Sequence, residues 1–378
     1  MLFSNKSKSS GVIIEEKVRA DKEPLELVIG IDAGSTETRV AVADASDIKL
    51  FASTDVEAIF KAIKNHVYII PSTFAMVKDE REIKPNSEVL SDNYDSRIIR
   101  VQSRAEEPLI NTHRVVRGQK IKDSTGLVSR YLDSSTNKVD NEIFYINILD
   151  GIGYALLQKY SGQIPTSVKI HLVLSVRPQE MGKVLIDRLD SNLQGQFIFR
   201  WKNIQIHMEI VTTTYTTEPE AQIEGSRALL DFEAQVTGSS EARTLSDKLN
   251  NSRSYIHIEG GGSSIGVEVI LDGTLIDGCS STFPLGGNYL ITVMKDRLRE
   301  TKGRMISTEA ATEAVKTGLL RNGRALEDVG EILSACKNQV GLDIVERLRH
   351  DVIDIMTGIA LTDFELVTLG GRLFRRDE

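Results

Sequence analysis

Two short loops carry the residue types that hold phosphate. Asp32-Ala33-Gly34-Ser35-Thr36 and Glu259-Gly260-Gly261-Gly262-Ser263-Ser264 each open on a carboxylate and run through glycine into hydroxyl side chains. Glycine lets an anion approach the main chain, whose N–H groups donate to it, and the hydroxyls add further donors. One such turn says little, because most Gly-Ser turns are only turns. Two related loops say more: a triphosphate with its metal takes donors from both sides, and the acids Asp32 and Glu259 suit the water shell of Mg2+. The sequence therefore predicts a phosphate site built from Gly34, Ser35, Thr36, Gly260, Gly261, Gly262, Ser263 and Ser264.

The elements that must position these loops are legible on either side of them. Leu27-Val28-Ile29-Gly30-Ile31 is a buried-strand run, and Arg39-Val40-Ala41-Val42 resumes it after a tight turn, so the first loop is a hairpin tip. Residues Tyr255 to Leu271 repeat the shape. Sliding one hairpin over the other by 227 positions sets Ile29 on Ile256, Ile31 on Ile258, Asp32 on Glu259, Gly34 on Gly261, Val40 on Val267 and Val42 on Val269. The match reads as an internal duplication, with one hairpin leading each of two domains. Strands are also expected at Tyr68–Ser72, Ile98–Val101, Arg114–Val116, Val168–Val176, Phe197–Trp201, Ile204–Val211 and Phe364–Leu369. Amphipathic spacing predicts a helix over Asn141–Tyr160. Further helices are expected to start at Arg177-Pro178, at Thr217-Glu218-Pro219-Glu220, after Leu285-Gly286-Gly287-Asn288 and at the N-cap Ser307, with a last one over Val329–Ile359. Strands alternating with helices make this a mixed α/β chain.

The 378 residues, 40% of them hydrophobic, suffice for two domains. Against 54 acidic side chains stand 46 basic ones, and the net charge of −8 opposes direct, sequence-independent binding to nucleic acid. Cys279 and Cys336 stand far apart without metal-ligand spacing, which fits a reducing cytoplasm. No stretch approaches the roughly 20 apolar residues of a membrane helix, so no membrane role is expected. Residues 1–24 read as a mobile polar tail. His171, His207 and His257 fall in strand patterns and read as satisfied strand residues, and Trp201 as core.

Ile31-Asp32-Ala33-Gly34-Ser35-Thr36-Glu37-Thr38-Arg39-Val40 resembles the first phosphate loop of the actin, Hsp70 and sugar-kinase superfamily. Ile258 to Ser264 resembles its second phosphate loop, and Val367-Thr368-Leu369-Gly370-Gly371 its adenosine motif. Glu313-Ala314-Val315-Lys316 is similar to the Glu-x-x-Lys helix that contacts adenosine in that superfamily. The resemblance covers the chain from about Leu25 to its end. It implies duplicated actin-like, ribonuclease H-like α/β domains, each a mixed five-stranded sheet flanked by helices, with nucleotide in the cleft between them. Residues 25–217 with 363–378 would form the first domain, carrying an inserted subdomain near 72–140; residues 218–362 would form the second, with a smaller subdomain near 285–335. Adenosine of ATP or ADP would be held by Glu313, Lys316, Gly370, Gly371 and Arg372. Asp32 and Glu259 would act on Mg2+ through water. Glu259 departs from the superfamily, which has Asp there, and its extra methylene implies a shifted water or a retreated loop.

For hydrolysis a carboxylate must orient the water facing the γ-phosphate. Thr217-Glu218-Pro219-Glu220-Ala221 resembles the segment where the superfamily places it. The Glu-Pro-x-Ala pattern of chaperones and cell-shape actins selects Glu218, the Pro-Glu pattern of plasmid-segregation actins selects Glu220, and either could instead only cap a helix. The Pro-Glu element, the turn Ile70-Pro71-Ser72 and the polar insert look most like the ParM-type actins that segregate bacterial plasmids. That resemblance implies an ATPase that assembles with itself into filaments and reaches plasmid DNA only through a small DNA-bound adaptor. The alternative is a non-filamentous member of the superfamily, a small-metabolite kinase or a reactivating chaperone.

Overall fold

The computed structural model describes residues 23–34, 37–51, 55–72, 74–76, 95–103, 105, 108–117, 129–130, 137–161, 163–276, 279–303, 305–322, 325–354 and 361–370. Of the expectations above, the polar tail to residue 22, Ser35, Thr36, Gly371 and Arg372 lie outside the described residues. Apolar alternation forms the first hairpin, β1 (Leu25–Ala33) and β2 (Glu37–Asp44), followed by α1 (Ala45–Phe51), α2 (Val56–Asn65), β3 (Val67–Pro71) and β4 (Phe74–Met76). The polar stretch supplies β5 (Asp95–Ser103), β6 (Thr112–Val116) and β7 (Ser129–Arg130). Helix α3 (Glu142–Lys159), β8 (Ser167–Val176), α4 (Lys183–Leu193) and the hairpin β9 (Gly195–Trp201) and β10 (Ile204–Thr217) complete the first half. The second half contains α5 (Glu218–Thr237), α6 (Ser240–Asn251), β11 (Tyr255–Gly260), β12 (Ile265–Leu271), β13 (Thr274–Leu275) and β14 (Ser281–Phe283). It continues with α7 (Gly287–Lys302), α8 (Thr308–Thr317), β15 (Leu319–Asn322), β16 (Ala325–Asp328), α9 (Gly330–Leu348) and β17 (Leu366–Gly370).

The two hairpins are copies in register as well as in sequence. Ile29 faces Val42 and Ile31 faces Val40 in the first; Ile256 faces Val269 and Ile258 faces Val267 in the second, each pair displaced by the same 227 positions. Each leading strand also has a parallel neighbour, β8 beside β1 and β17 beside β11. A slip of one residue would turn every apolar side chain to the wrong face, so shared register means shared burial. Ile29, Ile31, Val40 and Val42 lie in one core and Ile256, Ile258, Val267 and Val269 in another.

Four expectations change. The first sheet is not limited to five strands: its order β3-β2-β1-β8-β10 continues through β9-β5-β6-β4-β7, because β9 pairs with both β10 and β5. The expected insert is thus continuous with the main sheet. β17 pairs with β11, so residues 366–370 complete the second sheet rather than returning to the first domain. Helix α3 is not amphipathic but buried on every side, Phe144 to Ile148 consecutively, because it packs on β1, β2 and β3 and also on β5 and β9. The chain after Arg177 makes a short 3-10 turn at Pro178–Glu180, and α4 starts only after Gly182. Other expected boundaries hold closely: Thr217 caps α5 and Ser307 caps α8 by accepting a backbone N–H.

Candidate nucleotide site

The two hairpin tips are closed by the same hydrogen bond. Gly34 N donates to Glu37 O at 3.1 Å, and Gly261 N donates to Ser264 O at 2.8 Å. Both turns are too tight for a side chain at their glycine: a Cβ would stand 2.9 Å from Glu37 O at Gly34 and 3.2 Å from Ser264 O at Gly261. Glycine at each tip therefore lets the main chain turn back closely on itself.

Each tip is also held from behind. Ser72 donates to Gly34 O at 2.6 Å and is itself bonded to the Thr38 hydroxyl at 3.0 Å. Beneath it, fully buried Arg117 donates to Asp150 at 2.6 Å, to Asn147 at 2.9 Å and to Pro71 O, and Ser96 donates to the other Asp150 oxygen. That network ties the strands of the polar stretch to the base of the first loop. Behind the second loop, Gly287 N donates to Gly261 O at 3.1 Å and Asn288 N to Gly262 O at 2.6 Å, so the start of α7 clamps it.

Between the loops stand three carboxylates, one from each hairpin and one from the start of α5. Burial first, then the Glu218 charge, raises the Asp32 carboxyl above its ordinary range, against the pull of Lys138 and Arg39. Glu259 is pushed up to about 8, by burial first and then by Glu218 and Asp32. Glu218 forms an ion pair with Lys138, whose side chain is only 4% exposed. Burial works against the Lys138 charge, but Glu218 and Glu180 outweigh it and hold the ammonium protonated more firmly than usual.

The structure separates the two candidate glutamates. Glu218 joins this cluster. Glu220 is exposed, its carboxylate accepts from Thr216 at 3.0 Å and its N–H is taken by the Thr217 cap. Gly260, Gly262, Ser263 and Ser264 sit on the second tip as expected, and Gly370 pairs beside Glu259 at the end of β17. Glu313 and Lys316 are both exposed on α8, and among the described residues no hydrogen bond joins them to either loop. His257 is satisfied as expected, bonded to Thr368 at 2.6 Å and Gln222 at 3.2 Å.

Two cations were not singled out from the sequence. Arg39 faces Asp32 across the first hairpin, 3.4 Å from its carboxylate, and is held by Glu37 at 2.7 Å. Its strand position beside an acid was the available signal. Lys138 lies in a 3-10 turn before α3, in a stretch with no periodicity to mark it.

The donor set fits a metal-bound polyphosphate. Three acids gathered together, two of them resisting ionisation, would be relieved by a divalent cation. Among the described residues no group of three or more His, Cys, Asp or Glu side chains is placed to hold a metal ion directly.

No protein-family model matches the chain, and no curated protein matches its sequence. Solved structures do match in fold. The archaeal actin homolog Ta0583 superposes with a TM-score of 0.59 at 13% identity, over 91% of this chain and 87% of that one. A ParM from a 15-stranded Clostridium botulinum filament gives 0.57 at 16% identity, over 92% and 89%. Bacillus thuringiensis ParM with ATP gives 0.54 at 14% identity, over 91% and 86%. The chain therefore has the actin-like, ParM-type fold: two α/β units, each led by a hairpin with a glycine at its tip.

Proposed function

We propose that the chain is an actin-like ATPase that binds ATP between its two hairpin loops and assembles with itself into filaments. The observation that carries this is the pair of tips, identical in register and in closing hydrogen bond, with Asp32, Glu259 and Glu218 gathered between them. Gly262 and Ser263 would donate to the phosphates, Gly34 and Gly261, whose N–H groups close their turns, would let the phosphates approach the main chain, and Asp32 and Glu259 would hold the water shell of Mg2+. The ion, when bound, supplies positive charge to the β- and γ-phosphate oxygens. Gly370, beside Glu259, would lie towards the nucleoside, with Gly371, Arg372, Glu313 and Lys316 as further candidates.

Glu218 would accept a hydrogen bond from the water in line with the γ-phosphorus. As the water oxygen bonds to that phosphorus, the bond to the bridging oxygen breaks, ADP leaves with the electron pair, and Glu218 takes the proton shed by the water. A positioned base of this kind contributes about 10²–10⁴-fold. Because the loops belong to different sheets, a γ-phosphate held by both favours closure, and its loss releases one jaw. In a filament, that motion would change the contacts between subunits.

The finer reading is plasmid segregation in the bacterial cytoplasm. Its support is the likeness to ParM in fold, and a net charge of −8 that calls for an adaptor between filament and DNA. Sedimentation and light scattering with Mg-ATP, Mg-ADP and a non-hydrolysable analogue test the filament. Polymer is expected with ATP and the analogue and should decay as ATP is consumed. Absence of polymer with every nucleotide, at any protein concentration, would remove the filament reading.

A further inference from the structure

Among the described residues, Lys138 is the buried ammonium beside Glu218, and the proposed hydrolysis assigns it no step. It enters from the 3-10 turn Lys138–Asp140, and its residue is 3% exposed. Its ammonium pairs with Glu218 and lies 5.7 Å from the centre of the Phe144 ring. Its charge also acts on Asp32 and Glu259, so it stands within electrostatic reach of both loops. Its backbone is pinned: Lys138 N donates to one oxygen of Glu180 at 2.8 Å, and Arg177 N donates to the other at 3.0 Å. The neighbouring Gln179 bonds Thr282 at 3.0 Å and Ser281 at 3.4 Å on β14 of the second unit. The turn that carries this cation is thus tied to both halves of the molecule.

A magnesium-bound triphosphate remains net negative, and this cleft already holds Asp32, Glu218 and Glu259. Bringing a γ-phosphate among three carboxylates calls for a cation that can turn towards it. Arg39 is partly exposed and engaged by Glu37. Lys138 has a flexible four-carbon stem and three N–H donors, so it can exchange one anionic partner for another without moving its backbone.

We propose that Lys138 is the residue that distinguishes triphosphate from diphosphate: its ammonium leaves Glu218 for the γ-phosphate of ATP, and the released Glu218 carboxylate takes the attacking water. This rests on the nucleotide reading of the cleft and deepens it. A lysine that holds the catalytic acid until the γ-phosphate arrives keeps the acid occupied in the empty and ADP states. The same exchange neutralises the terminal phosphate when water is positioned.

Calorimetric titration of the full chain with Mg-ADP and with a magnesium-bound, non-hydrolysable ATP analogue tests this in wild type, Lys138→Met, Glu218→Gln and the double variant. In Lys138→Met the affinity for the analogue should fall about 10-fold to 100-fold, the range of a hydrogen bond between charged groups, while that for ADP changes less than about threefold. Glu218→Gln frees the lysine and should tighten the analogue. The double variant isolates the contact: relative to Glu218→Gln it should again lose the analogue selectively. Equal losses for both nucleotides, no loss in the double variant, or weaker analogue binding in Glu218→Gln would each overturn the proposal. If Lys138→Met does not fold, the Glu218→Gln titration alone decides it. A wild-type chain that binds neither nucleotide would sink the nucleotide reading itself, and this inference with it.

Discussion

Replacing Gly286 by alanine adds one methyl group and should disable the second hairpin loop as a nucleotide contact. The backbone there has φ −73° and ψ −167°, conformations open to any residue, so no torsional strain is introduced. The added Cβ would instead stand 2.4 Å from Ser264 N, 2.5 Å from Ser263 C and 2.7 Å from Gly261 O. All three are main-chain atoms, so no side chain can swing aside. The loop and the start of α7 must part by about 1 Å to restore van der Waals distance, breaking the bonds from Gly287 N to Gly261 O and from Asn288 N to Gly262 O. At about 1 kcal/mol each the loss is about 2 kcal/mol, or roughly a 30-fold weaker nucleotide affinity if the loop must re-form to bind. Gly182→Ala is the control, since its Cβ would meet nothing within 4 Å. A titration with fluorescent ADP reads the difference. Wild-type affinity in Gly286→Ala would refute the reasoning, because the methyl group would then have been accommodated without disturbing the phosphate donors.

Glu218→Gln should lower ATP turnover by about 100-fold or more, whereas Glu220→Gln should change it by less than about threefold, read by phosphate release at saturating ATP; the reverse order would reinstate Glu220. Asp150→Ala removes the carboxylate to which buried Arg117 donates at 2.6 Å and should cost about 1.5–3 kcal/mol, a fall in melting temperature of roughly 5 °C by scanning calorimetry. A change below about 2 °C would show that the network is not holding the sheet to α3. Burial lowers the His257 pKa to about 4. The stability due to its neutral form is complete above about pH 6.5 and is lost as pH falls towards 4, about 3 kcal/mol in all. Urea midpoints at pH 7 and pH 4.5 should therefore converge more closely in His257→Gln than in wild type, and an equal acid loss in both would contradict the assignment.

The hairpins were legible because what defines them is local: apolar alternation sets each strand, glycine sets each tip, and an acid precedes each turn. A constant offset then relates their registers, and the pairing of Ile31 with Val40 and Ile258 with Val267 follows it. What was not legible depends on distant partners. Lys138 meets Glu218 across 80 positions, and nothing in the residues around Lys138 announces a salt bridge. Which of Glu218 and Glu220 the first turn of α5 sets beside Asp32 and Glu259 could not be read either, because two sequence patterns conflict there. The apolar residues of α3 looked like one face of a helix because a sheet curling round it cannot be seen from spacing. The side on which β17 joins is likewise a parallel pairing made across about a hundred residues, a contact that local propensity does not encode.

In the proposed function, two copies of one loop close on a single triphosphate. Equilibrium titration with Mg-ATP of wild type and of Asp32→Ala, Glu259→Ala and Gly286→Ala tests that most directly. One nucleotide per chain in wild type, with affinity falling when either jaw is altered, is the predicted result. A wild-type chain that binds no ATP, or one whose affinity ignores changes in the second jaw, would contradict it.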